Sequence, residues 1–152
     1  MLPKYHMAIG AIVTSTIYII YPLTLIQAAI IFLSSFLIDV DHYMLYVVKN
    51  KDFSLRNARR YFFSHRKRWL KLSVGERKNY KRHLFIFHGI ELWIPLVLLA
   101  NYFPLIWFVL TGLAIHIFLD YIDYYYFKEP FYPKFSQLYV YQTNKKKIAI
   151  PH

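Results

Sequence analysis

The chain has 152 residues, 57% of them hydrophobic and 20% aromatic, and a formal net charge of +11. That length allows one domain, and the apolar share, far above that of ordinary soluble domains, points to a membrane protein. With no cysteine, a disulfide framework and a thiolate metal site are excluded, so any metal must bind through imidazole and carboxylate.

Crossing a hydrocarbon core of roughly 30 Å takes about 20 mainly apolar helical residues. Four segments come close, over residues 7–21, 23–48, 84–100 and 105–127, with Tyr21-Pro22 and the stretch from Asn101 to Pro104 as tight turns. The first is short unless residues 2–6 extend it. No small-residue cleavage site follows it, so it reads as a retained helix and not as a signal peptide. The fold class expected is all-α: an integral membrane bundle of four transmembrane helices over residues 1–127, then a basic C-terminal tail over 128–152. That tail, with Pro130, Pro133 and Lys145 to Lys147, is expected to be peripheral and without chemistry.

Thirteen of the nineteen Lys and Arg residues lie between Lys49 and Arg82, and none lies in the two short turns. The positive-inside rule then predicts a multi-pass protein whose N-terminus, central loop 49–82 and C-terminus are cytoplasmic. Within that loop Leu55, Ala58, Phe62, Trp69 and Leu72 recur at near-helical spacing among basic residues, with Ser54 as N-cap. This predicts a basic interfacial helix, with anionic membrane-lipid headgroups as its partner; nucleic acid is not expected, and a homo-oligomer stays open. His65 in this stripe is expected to be solvated or headgroup-facing and not a ligand. Ser73 and Glu76 form a capping box, from which a new helix is expected to run into the third span.

Ionisable groups inside a span cost at least about 2.5–3.5 kcal/mol each, so they call for partners or a task. Five of the eight acids lie in the apolar segments: Asp39 and Asp41 in the second, Glu91 in the third, Asp120 and Asp123 in the fourth. His42, His88 and His116 accompany them, with His83 just before the third span and His6 at the start of the first. Residues three or four apart share a helix face, so Asp39 pairs with His42, His88 with Glu91, and His116 with Asp120. Because chain direction alternates, all these positions fall at one level of the bundle, where facing side chains build metal sites.

These residues resemble the YdjM-like, LexA-regulated family of small inner-membrane proteins described as metal-dependent hydrolases. The resemblance rests on His6-x3-Gly10, the box Asp39-Val-Asp41-His42, His83-x4-His88, and Gly112-x3-His116-x3-Asp120, in that order over nearly the whole chain to about Tyr126. It departs in the second box. The family reads like His-Arg-x-x-Thr-His-Ser there and this chain reads "HLFIFHG", without the Arg, Thr and Ser. In an unbroken helix His83 and His88 would also point about 140° apart.

Imidazole and carboxylate without thiolate suit zinc first, with manganese or iron as alternatives, one or two ions per chain. His6, Asp39, Asp41, His42, His83, His88, His116 and Asp120 are the candidate ligands, and Asp123 or Glu91 the candidate general base. The reading is a membrane-embedded, metal-dependent hydrolase of a lipid or phosphoester at the cytoplasmic interface. Hydrolysis comes from the resemblance. An ion or metal transporter or a proton path, using the same intramembrane cluster, is the alternative, and a scaffolding protein with a structural polar cluster is a third. Lipid phosphatases with His-x3-Asp are rejected, since the fourth span has no Arg.

Overall fold

The computed structural model describes residues 3–149. Residue 2 of the proposed N-terminal extension and residues 150–152 of the tail lie outside them. The regular structure of the described residues is helical, with nine α-helices: α1 Pro3–Ile20, α2 Leu25–Leu37, α3 Val40–Asn50, α4 Leu55–Lys71, α5 Val74–Arg77, α6 Ile90–Ala100, α7 Ile106–Tyr126, α8 Tyr132–Phe135 and α9 Gln137–Asn144. A short 3-10 turn, Ile86–His88, precedes α6. No strand is formed among them beyond one isolated bridge between Tyr80 and Ile148.

Two helical runs, not four, are long and apolar enough to cross a membrane: Leu25–Asn50, in which α2 and α3 join through a tight turn, and Ile106–Tyr126. The third expected span falls short because the chain is not helical from Lys81 to Phe85 and turns at Gly89, leaving α6 with eleven residues. The first segment is one helix of eighteen residues, but its apolar run carries Lys4, His6 and the triplet Thr14-Ser15-Thr16. Ile12, Ile19, Ile26, Leu98 and Phe118 stand exposed on the outer faces.

The centre of the molecule is α2, packed most extensively on α7 and next on α1. Two glycines set that spacing. A Cβ at Gly10 of α1 would collide with Ser35 Oγ, and one at Gly112 of α7 would collide with Ile31 O and Ser34 Cβ. Gly10 lies one turn after His6 and Gly112 one turn before His116, so the same close approach that packs three helices brings both histidines onto α2. His6, Ser35 and His116 are wholly buried.

The central segment behaves in part as its sequence predicts. Ser54 caps α4 by accepting from the Asn57 N–H, and Ser73 and Glu76 form the reciprocal capping box. The helix begun there stops at Arg77, however, and does not enter α6. Beyond it the Tyr80–Ile148 bridge draws the chain into extended backbone. The tail is not peripheral either. Glu129 accepts from Trp69 Nε1–H and from Arg77 and Arg82, while Lys134, Gln137 and Val140 are buried.

Candidate metal centre

The turn between α2 and α3 re-aims the Asp-x-Asp-His box. In a continuous helix Asp39 and Asp41 would point to nearly opposite sides. The break at Ile38 and Asp39 lets both face inward. Asp39 stands at the N-cap of α3, yet its side chain makes no capping bond and turns into the cluster.

Four side chains from α2/α3, the 3-10 turn and α7 converge on one point. His88 Nε2 lies 3.2 Å from His116 Nε2. Asp39 Oδ1 is 3.5 Å from each of these nitrogens. Asp120 Oδ2 is 3.4 Å from His116 Nε2 and 3.7 Å from His88 Nε2. Tetrahedral ligands at about 2.0–2.2 Å from a zinc ion stand about 3.3–3.6 Å from one another, and these five separations bracket that range.

The ring orientations are fixed from behind. His116 Nδ1 is 2.9 Å from the Ser35 carbonyl, which only accepts, so Nδ1 carries the proton. His88 Nδ1 is 2.9 Å from Asp41 Oδ2 and carries its proton for the same reason. A neutral ring so oriented presents a bare Nε2 lone pair to the shared point, and two such rings cannot hydrogen-bond each other. A cation between them resolves the contact; without one it is repulsive. A histidine oriented by a carboxylate or carbonyl on its far nitrogen is the usual environment of a metal ligand.

Each expected residue finds a definite place. His6 stacks on His116 with ring centroids 3.9 Å apart and sets Nε2 3.3 Å from Asp120 Oδ1. Among the described residues neither of its buried ring nitrogens finds a hydrogen-bond partner, and Asp39 Oδ2 also lacks one. Such buried polar atoms cost stability unless something meets them, which fits a cation. Asp41 holds others in place: Oδ1 faces His42 Nδ1 at 2.8 Å, and Oδ2 accepts from the Phe87 N–H as well as from His88. His42 Nδ1 is 3.3 Å from Asp39 Oδ1, and its ring stacks on Phe85. His6, Asp39 and His116, then Asp39, His42 and His88, and then His88, His116 and Asp120 each have donor atoms within 4.8 Å of one another. These triads share members and describe one centre.

Three expected members lie elsewhere. Glu91 is separated from His88 by the turn at Gly89. Its carboxylate accepts from Ser136 Oγ–H and from the N–H groups of Gln137 and Leu138, holding the start of α9. Asp123 lies one turn beyond the cluster and accepts from Arg66 of α4. His83 packs against His65 with ring centroids 4.2 Å apart and belongs to none of the triads. His65 is half-buried and packs against His83 and Trp69. Burial, then Arg68 and Lys49, push it down to about 4, and burial, then His65 and Lys49, push His83 down to about 3.

Lys134, from the tail, is the residue that sequence reasoning missed. Its Nζ lies 2.6 Å from Asp120 Oδ2 and the side chain is 5% exposed. Burial by itself would lower this ammonium, yet Asp120 beside it more than offsets that and holds it above the ordinary lysine range. Only Pro133 before it marked a structured position, and proline says nothing of where a neighbouring side chain goes.

Asp39, His42 and Lys134 also line a cavity of about 460 Å3, within the usual range of ligand sites. Its roof is the inner face of α4, with Ala58, Phe62 and Trp69, and Arg59, Arg66 and Arg82 reach its walls. Comparison with protein families, with curated proteins and with solved structures finds no match for this chain.

Proposed function

We propose that the protein is a membrane-embedded hydrolase that acts on a phosphoester or carboxylic ester of a lipid with a divalent ion held by His88, His116, Asp39 and Asp120. The observation that supports it is the meeting of two bare imidazole nitrogens and two carboxylate oxygens at tetrahedral spacings, on the wall of an amphipathic cavity. A divalent ion bound there supplies a Lewis acid for a phosphoryl or carbonyl oxygen and lowers the pKa of water toward 7.

The chain's own residues do the rest. Ser35 and Asp41 keep His116 and His88 in the tautomer that offers Nε2. Phe62, Trp69 and the other apolar groups of α4 exclude water and accept hydrocarbon, while Arg59 leaves a cation on the wall for an anionic headgroup. Asp123, on the same wall, is the candidate proton acceptor, its orientation fixed by Arg66. The resemblance to the YdjM-like family agrees in its motif residues with this assignment, and the exposed apolar faces around two spanning-length helices suit a bilayer. A cytoplasmic placement of α4 against anionic lipid follows from its charge.

The test is hydrolysis of phospholipid and lipid-phosphate substrates in mixed micelles by protein loaded with zinc or manganese. Product release that is abolished by chelator, restored by the ion and missing in His116→Ala supports the reading. Hydrolysis that is insensitive to chelation and equal in His116→Ala contradicts it.

A further inference from the structure

We propose that the centre holds one metal ion, and that the ammonium of Lys134 takes the place of the second. This inference rests on the metal-site reading above and adds the stoichiometry and the role of the C-terminal segment.

Centres that clamp a phosphoryl group with two ions set them about 3.5–4 Å apart. Here Asp120 Oδ2 lies 3.7 and 3.4 Å from His88 Nε2 and His116 Nε2 and 2.6 Å from Lys134 Nζ. One oxygen thus joins the ion position to the ammonium, and two cations sharing it lie no more than about 5 Å apart, since an ion–oxygen bond is about 2.0–2.2 Å.

Asp39, Asp41 and Asp120 are carboxylates of a nearly dry pocket, where an unpaired charge is expensive. Lys134 already meets Asp120 Oδ2, the oxygen that a second divalent ion would need for itself. Two other cations of the cavity are already paired, Arg66 with Asp123 and Arg82 with Glu129. Lys134 therefore supplies a fixed second cation, able to hold one oxygen of an anionic substrate while another faces the ion.

The experiment is metal stoichiometry by elemental analysis and titration, with zinc and manganese each offered in excess to parent, Lys134→Arg and Lys134→Met. One equivalent is expected in the parent and in Lys134→Arg. In Lys134→Met, shown to be folded by its unfolding profile, the first ion should bind more tightly by on the order of tenfold, because a like charge beside it is gone. Two equivalents in the parent overturn the inference while leaving the hydrolase reading standing, and so does a folded Lys134→Met that binds the ion more weakly. A parent that takes up no ion overturns both. The parent's stoichiometry decides the matter even where Lys134→Met fails to fold.

Discussion

His88 and His116 meet through their Nε2 atoms at 3.2 Å, although the proton of each ring is committed to its far side, on Asp41 and on the Ser35 carbonyl. Asp41 therefore sets which nitrogen His88 offers. In Asp41→Asn the amide can still accept from the Phe87 N–H but can also donate, which releases the ring. Metal affinity should fall about 10- to 100-fold, as for other partners that orient a histidine ligand, read by competition with a chromophoric chelator. Unchanged affinity would show that Asp41 does not orient the ligand.

Gly112 gives a structural prediction. A side chain there meets the backbone of α2 at Ile31, which cannot rotate away. Gly112→Val should destabilise the fold by about 1–3 kcal/mol or more and push His116 out of register with His88. Thermal unfolding in mild detergent, with metal content measured alongside, checks both effects. A variant as stable as the parent, with full metal, would mean that α7 does not depend on this contact.

The paired His65 and His83 predict a pH dependence. The unfolded chain protonates these rings near the ordinary 6.5, while the folded protein does so only near 4 and 3. Between those limits the unfolded state binds more protons, so stability rises with pH and is lost as pH falls from about 6.5 toward 4. His65→Gln/His83→Gln should flatten that part of the profile of unfolding midpoint against pH. An equally steep profile in the variant would place the dependence on other groups.

Glu129 is the tie between the central segment and the tail. It is nearly buried against Arg77 and Arg82 and also accepts from Trp69. Removing one partner of a buried ion pair leaves the other charge uncompensated, so Glu129→Ala should cost about 3–5 kcal/mol. Cleavage by protease after Phe127 should become faster in the same variant. No change in either would mean that the tail is held by α8 and α9 alone.

Much of this site was legible in the chain, because the helical period assigns faces without knowledge of the fold. Asp39 with His42 and His116 with Asp120 lie together as their spacings of three and four require. The same rule failed for His88 and Glu91, since Gly89 ends the 3-10 turn between them and periodicity presumes an unbroken helix. It also gave four spans where two helices have the length. The apolar run begins at Leu84, before the chain becomes helical, and composition does not show where a helix starts. Lys134 was out of reach for a different reason. A lone lysine in a basic tail carries no local signal of an ion pair with a residue fourteen positions away on another helix, and only the path of α8 creates it.

The most direct test of the centre is elemental analysis of the protein purified in mild detergent without chelator, beside an Asp39→Ala/His116→Ala variant. A divalent transition metal is expected in the parent, absent from a variant that keeps the parent's helical content. A parent that stays metal-free after zinc, manganese and iron are offered would contradict the centre.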